Sequence, residues 1–438
     1  METGFTHAGL MEILQRTFKQ LPDYRTGQNT RYAIGDAAAG AFGVFFTQSP
    51  SFLSYQRDMQ RKNGQNNAQS LFGVEKIPSD NQIRNLLDPI GPEHLYAPFW
   101  EIYAQLKARG TLNKQRGHAN NWLCAMDGVQ YFTSKAIHCE NCNETHKDGT
   151  VRYYHAAITP VLVAPDSPVV ISLEPEFITP QDGSEKQDCE QNAIKRWIER
   201  NASHFAPHTV TILADDLHSH QPLCELLLSN HFNFILVCKP DSHKALYEEI
   251  ALLDKIAGVS QVKVRRWNGR FHEKWLYRYV NQVPLRGGEH ALQVNWCELT
   301  ITHESEGTQI YHNSFVTNHL INDATVKSIV ASGRARWKTE NECNNVLKNH
   351  GYHLAHNFGH GQQHLSSVLV TLNLLAFLCH TVLDLTSFLY QRLRRELGTR
   401  QTFFGDIRTL TRYSYFPNWQ ALLDHMAKGL GIGLSSSP

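Results

Sequence analysis

The feature that most narrows what this chain can fold into is a change of pattern at Asn121. Beyond it, three strand-like runs follow one another: Trp122–Phe132, Val151–Val163 and Val169–Leu173. A helical stretch, Glu185–His204, leads to the apolar run Val210–Ala214, and a second, Gln221–Asn230, leads to Phe232–Val237. Successive strands favour antiparallel hairpins, whereas strands alternating with helices favour parallel neighbours. A mixed five-stranded sheet with helices on its faces satisfies both halves, so the fold class is α/β.

The flanks read differently. Residues 1–120 carry apolar side chains at helical spacing around Ala37–Phe46 and Leu95–Leu106, with a polar loop at Arg57–Ser70 between them. They form a helical N-terminal region, and 13 basic against 10 acidic residues make it a candidate for DNA binding. The first part of the core spans 121–258. Residues 259–320 contain short strands (Val262–Trp267, Lys274–Val280, Leu292–Thr302 and Gln309–Val316) separated by Asn-Gly, Gly-Gly and Glu-Gly turns, an inserted all-β module. Residues 321–400 return to helix as the second part of the core, and 401–438 read as a C-terminal tail.

Composition sets outer limits. The 438 residues hold 42 Lys+Arg and 41 Asp+Glu, which excludes a uniformly basic histone-like protein but not an enzyme with a local phosphate-binding surface. Nine scattered cysteines, an odd number, make no disulfide framework and point to a reducing, cytoplasmic setting. Met1–Lys19 lacks the pattern of a signal peptide. The most apolar stretch, Leu365–Leu385, is interrupted by Asn373, His380 and Asp384, so it reads as a buried helix with no membrane partner.

Three carboxylates carry the chemistry. Asp127 lies inside an apolar strand, where burial is costly unless the charge is paired or binds a metal, and Gly128 after it leaves room for close approach. Asp215 ends the run Thr-Val-Thr-Ile-Leu-Ala, with Asp216 beside it; either could instead cap the helix that follows. Glu340 sits on the helix after the β module. Three acids meeting at one spot repel each other unless divalent cations lie between them, and oxygen-only ligation suits Mg²⁺ or Mn²⁺. Two such ions can activate a water or 3′-hydroxyl and stabilise the leaving oxygen of a phosphodiester.

On Met-Asp127-Gly, Leu-Ala-Asp215-Asp and, above all, Arg336-Trp-Lys-Thr-Glu340-Asn, the chain resembles the DDE transposases of bacterial insertion sequences over roughly residues 121 to 380. In the family helix signature, Tyr, Arg, Glu and Lys stand at fixed offsets. Arg336 and Glu340 keep theirs, while the Tyr position is Gly333 and the Lys position is Leu347, with Lys348 one step on. The resemblance implies a ribonuclease-H-like core with a β insertion before the last acid. It implies Asp127, Asp215 and Glu340 holding two Mg²⁺ (or Mn²⁺) ions, and Arg336 and, by its neighbouring position, Lys348 contacting DNA phosphates. It further implies double-stranded DNA partners (terminal repeats and target), a homodimer on DNA, and a bacterial, nucleoid-associated location. The rival readings are a metal-dependent nuclease of the same fold and a domesticated DNA-binding protein without activity.

Other groupings remain. Cys139-Glu-Asn-Cys142 with His146 and His155 could hold structural Zn²⁺, or the thiols could be unliganded. His350, His353, His356, His360 and His364 cluster near Asn357-Phe-Gly-His-Gly, readable as a metal face, phosphate contacts or turn residues. Asp182, Asp188 and Glu190 could support the catalytic acids or cap the next helix. Residues 386–412, six basic and two acidic with Phe388, Tyr390, Phe403 and Phe404 interleaved, have the composition of a nucleic-acid surface or of a solvated helix face. Trp267, Trp275 and Trp296 could pack the β module or stack on an extruded base. The chain carries no Gly-x-Ser-x-Gly, no phosphate-binding Gly-x-x-x-x-Gly-Lys and no His-Glu-x-x-His.

Overall fold

The computed structural model describes residues 5–27, 30–59, 66–180 and 189–433. It opens with helices α1 (His7–Lys19), α2 (Ile34–Phe46), α3 (Phe52–Met59), α4 (Asn67–Phe72), α5 (Asp80–Leu87) and α6 (Ala97–Ala108). Next come β1 (Trp122–Ala125), β2 (Gly128–Ser134), β3 (Asn143–Lys147), β4 (Thr150–Ile158), β5 (Val161–Ala164), β6 (Ser167–Ser172) and β7 (Glu176–Ile178). The alternating part is α7 (Glu190–Asn201), β8 (Val210–Ala214), α8 (Gln221–Ser229), β9 (Asn233–Val237) and α9 (Lys244–Lys255). Four longer strands follow, β10 (Ser260–Trp267), β11 (His272–Pro284), β12 (Gln293–His303) and β13 (Gln309–Thr317). The chain closes with α10 (Val326–Arg334), α11 (Asn345–Asn349), α12 (Leu365–Thr386), α13 (Phe388–Glu396), α14 (Arg400–Tyr413) and α15 (Trp419–Gly429).

Strands β6-β5-β1-β8-β9 form the mixed centre of the main sheet. The hairpin neighbours β5 and β6 run antiparallel to each other, and β5 runs antiparallel to β1. Strands β8 and β9, each preceded by a helix, run parallel to β1 and to each other. Every residue of β1, β8 and β9 is buried, which is why these strands read as apolar runs without alternation.

Two predicted strands are each broken in two. Trp122–Phe132 splits at Met126-Asp127 into β1 and β2, and Val151–Val163 splits at Thr159-Pro160 into β4 and β5. Pro160 has no N–H to give to a ladder, and at the break Thr159 N–H donates to the Asp127 carbonyl (3.1 Å). The halves beyond the breaks build a second sheet, β2-β4-β3, with β7 paired to β4. Asp127 therefore stands at a corner between two sheets, not in mid-strand.

The stretch expected as an inserted module is not separate from the core. Strands β10–β13 form an antiparallel meander whose last strand pairs with β9, Phe315 opposite Val237 and Thr317 opposite Ile235. The order becomes β10-β11-β12-β13-β9-β8-β1-β5-β6, a nine-stranded sheet among the described residues. The residues read as a tail carry α14 and α15; residues 434–438 lie outside the described part.

Helix α12 is apolar on all sides and buried along nearly its whole length, as its composition requires of a helix inside a protein. It is the described helix long and apolar enough to cross a membrane, and 89% of its most apolar window is covered by the rest of the chain. The two ends of the chain close together over it. His7 stacks on Trp419, Arg412 pairs with the buried carboxylate of Asp58 (2.8 Å), and Arg408 donates to the Thr47 and Gln48 carbonyls. Within residues 386–412, Tyr390, Phe403 and Phe404 are buried in this packing, while Phe388, Arg392 and Arg395 are exposed.

Asn67 holds this junction. Its amide donates to the Thr411 and Ser414 carbonyls and its oxygen accepts from Phe416 N–H, all at 2.8–2.9 Å. Replacing Asn67 by Ala strands three backbone groups and should cost about 2–4 kcal/mol. Urea unfolding measures this, and a loss below about 0.5 kcal/mol would show that the junction does not hold the fold.

Candidate active site

The parallel pairing of β1 and β8 sets Ala125 opposite Leu213, with Met126 N–H donating to the Leu213 carbonyl. Asp127 and Asp215 each lie two residues further on, so both carboxylates leave the C-terminal ends of adjacent strands. This is where open α/β sheets place their sites. Asp127 accepts from Gly128 N–H (3.1 Å), and its side chain is 18% exposed. Asp215 caps the turn Asp216–His218, accepting from Leu217 N–H (3.1 Å), and its charge is near enough to help raise the Asp127 carboxyl. Asp216 points elsewhere: it accepts from Lys239 N–H (2.6 Å) and the Ser242 hydroxyl, and lies 3.6 Å from His243. Of the two neighbours, Asp215 joins the cluster.

Glu340 arrives on a π-helical turn, Thr339–Asn344, between α10 and α11. Such turns often occur at functional sites, and no period in the sequence announces this one. Lys338 fastens it: the ammonium donates to the carbonyls of Ala164, Pro165 (2.8 Å) and Ser167 (2.6 Å) in the β5–β6 turn. Asn344 adds a second tie, accepting from the Thr159 hydroxyl (3.1 Å). Arg336 then spans two acids, 3.7 Å from Asp127 and 3.3 Å from Glu340. The missing family Tyr has a steric cause. A Cβ on Gly333 would lie 2.7 Å from the Phe315 ring and 2.9 Å from Ile235, because α10 packs directly on the sheet. Leu347 is buried, and Lys348 is half-buried on α11, making no hydrogen bond or ion pair with the acids among the described residues.

A fourth carboxylate joins them. Glu190, the first residue of α7, enters the space left by Gly128, where a Cβ would come within 2.1 Å of its Oε1. His218, buried, lies 3.5 Å from Asp215 and 3.7 Å from Glu190. The other end of α7 is fixed by Arg196 and Arg200 on the buried Glu174 and Glu176. Asp182 and Asp188 lie outside the described residues.

Burial and the neighbouring charges of Glu340, Asp215 and Glu190 push the Asp127 carboxyl up to about 6, against the opposing pull of Arg336. Of the four acids, Asp127 and Glu340 pair with the Arg336 guanidinium, while Asp215 and Glu190 lie beside His218. All donor atoms are oxygens, the set hard divalent cations prefer.

Other groupings separate from this site. Trp296 is buried, Trp275 packs under Arg266 and Arg334, and Trp267 is exposed. His146 is exposed beside Glu144 (3.2 Å) and lies apart from the paired cysteines, whereas His360 is drawn to them.

A carboxyl raised in the folded state costs stability once ionised. That cost is absent below the unfolded value near 4, grows as pH rises and is complete above about 6. Asp127→Asn should therefore be more stable than wild type by about 1–3 kcal/mol at neutral pH without added divalent metal, the gap closing towards pH 4. Paired urea titrations across that range test this; a pH-independent gap would show that Asp127 is not strained by its neighbours.

No family model matches the chain, and no curated protein matches it. Among solved structures it is similar to the piggyBac transposase in a synaptic complex with hairpin DNA. The identity is 8% and the TM-score 0.39, over 98% of this chain and 84% of that one, a likeness too weak to fix fold or function.

Proposed function

We propose that this protein is a DNA transposase of the DDE type on a ribonuclease-H-like core, with Asp127, Asp215 and Glu340 as its catalytic acids. The observation that carries the reading is the meeting of these carboxylates, two from adjacent parallel strands and one from a later helix, in a cluster short of positive charge. Asp127, Asp215 and Glu340 would hold Mg²⁺ or Mn²⁺, with Glu190 as a fourth oxygen donor beside them. When bound, such ions activate a water or 3′-hydroxyl and stabilise the leaving oxygen of a phosphodiester.

The chain's own residues supply position and charge. The β1–β8 ladder holds two acids at fixed separation, Lys338 and Asn344 hold the third, and His218 backs Asp215 and Glu190. Arg336 presents a guanidinium at the edge of the cluster, suited to a DNA phosphate by its forked geometry. Hydrolysis at an element end and attack of the freed 3′-hydroxyl on target DNA are both in-line displacements at phosphorus, so one set of carboxylates serves both. The partners are double-stranded terminal repeats and target DNA, with two copies of the chain holding two ends.

Cleavage of the DNA flanking this gene, with Mg²⁺ present, tests the reading. Cuts at repeat boundaries are expected, and Glu340→Gln should lower the rate at least about 100-fold while leaving DNA affinity within about twofold. Cutting without regard to sequence would make the protein a nuclease of the same fold. A fully active Glu340→Gln variant would remove Glu340 from the site.

A further inference from the structure

A second cluster lies in the smaller sheet. Cys139 and Cys142 sit in the loop joining β2 to β3, closed by Cys142 N–H donating to the Cys139 carbonyl (3.1 Å). His155 stands on β4 opposite Phe132 of β2. His360 comes from the loop between α11 and α12, 205 residues further along the chain than His155.

Their ligand atoms converge. Sγ of Cys139 and Sγ of Cys142 are 3.9 Å apart, and no disulfide joins them. Nε2 of His155 lies 3.6 and 3.4 Å from the two sulfurs, Nε2 of His360 lies 3.4 Å from Cys142 Sγ, and the two nitrogens are 3.1 Å apart. A tetrahedral Zn²⁺ with its usual bond lengths to sulfur and nitrogen has edges of about 3.8 Å between sulfurs, 3.6 Å from sulfur to nitrogen and 3.3 Å between nitrogens. Five of the six edges fall close to these values, and the sixth, from Cys139 Sγ to His360 Nε2, lies within 4.8 Å. The outer ring positions are also set: His360 Nδ1 meets the Gly361 carbonyl (2.9 Å) and the backbone of Asn141 hydrogen-bonds His155, leaving Nε2 of each ring turned inward.

We propose that Cys139, Cys142, His155 and His360 bind one structural Zn²⁺ ion, a site independent of the carboxylate cluster. Four protein ligands close the coordination shell, which suits a structural rather than a catalytic metal. The metal staples two distant stretches of chain. One begins at Asp127 and continues through β2; the other carries Glu340 and runs through α11 to His360. Asn141, which donates to the Gln363 carbonyl (2.6 Å), closes the same seam.

Metal analysis of the full-length protein should find about one zinc per chain. Exchange with Co²⁺ should give the absorption of a tetrahedral site with thiolate charge transfer. His360→Ala and Cys139→Ser should each lower zinc below about 0.2 per chain and lower the melting temperature, while His146→Ala keeps zinc at the wild-type level. Should His360→Ala fail to fold, chelation of zinc from the wild type with a falling melting temperature gives the same answer. Zinc-free protein that takes up no Co²⁺, a Cys139–Cys142 disulfide found by mass, or zinc retained in His360→Ala but lost in His146→Ala would each overturn the proposal. None of these readouts uses DNA, so they stand or fall apart from the transposase reading.

Discussion

The parallel ladder between β1 and β8 is the constraint on which the rest depends. Parallel strands in one sheet share a direction, so residues at equal distance past a paired position emerge together at the same edge. That brings Asp127 and Asp215, each two residues past the paired Ala125 and Leu213, out at the same edge of the sheet. The remaining strands protect the pairing: β5 and β9 flank the two, and every residue of β1, β8 and β9 is removed from water. A sheet edge anywhere in this group would expose the ladder and loosen the spacing of the carboxylates.

Keeping negative charges close together opposes folding, and the molecule counters this with ties placed outside the cluster. Lys338 spends a charged donor on three carbonyls of the β5–β6 turn, so the turn bearing Glu340 is held by groups that do not touch the acids. Glu174 and Glu176 do the same for α7 through Arg196 and Arg200, and with it for Glu190. Charge repulsion is thereby concentrated at the one place where a further cation could relieve it.

Much of this architecture is legible in the sequence, and the illegible parts share a cause. Strand runs, the buried helix at 365–386 and the acids at apolar strand ends all leave local signals, since a carboxylate after Leu-Cys-Ala-Met or Ile-Leu-Ala is out of place. What local pattern cannot show is where a strand changes sheet. Met126-Asp127 and Thr159-Pro160 look like mid-strand residues until each is seen beside the other. Glu190 reads as an ordinary first-turn acid, because its partner is the empty space over Gly128. His146 is nearer in sequence to the paired cysteines than His360, yet β3 carries it to the solvent side. The family resemblance locates the helix signature, but the glycine at 333 is explained only by the ring of Phe315 packed against it.

The two chain ends alter how the first 120 residues must be understood. An independent DNA-reading domain would be joined to the core by few contacts across a linker. Here α1, α2 and α4 share aromatic and hydrogen-bonded contacts with the last helices, through His7 on Trp419, Asn67 on Thr411 and Ser414, and Trp419 Nε1 donating to the Leu71 carbonyl. Of these, α2 and α13 pack on α12, which also packs on β6 of the main sheet. Any DNA contact made by these helices is therefore made by a surface packed against the rest of the chain. Helix α12 is not the sole link to the acids: α6 also meets the core directly, with Trp100 Nε1 donating to Glu174 and Tyr103 packed against Trp122 of β1.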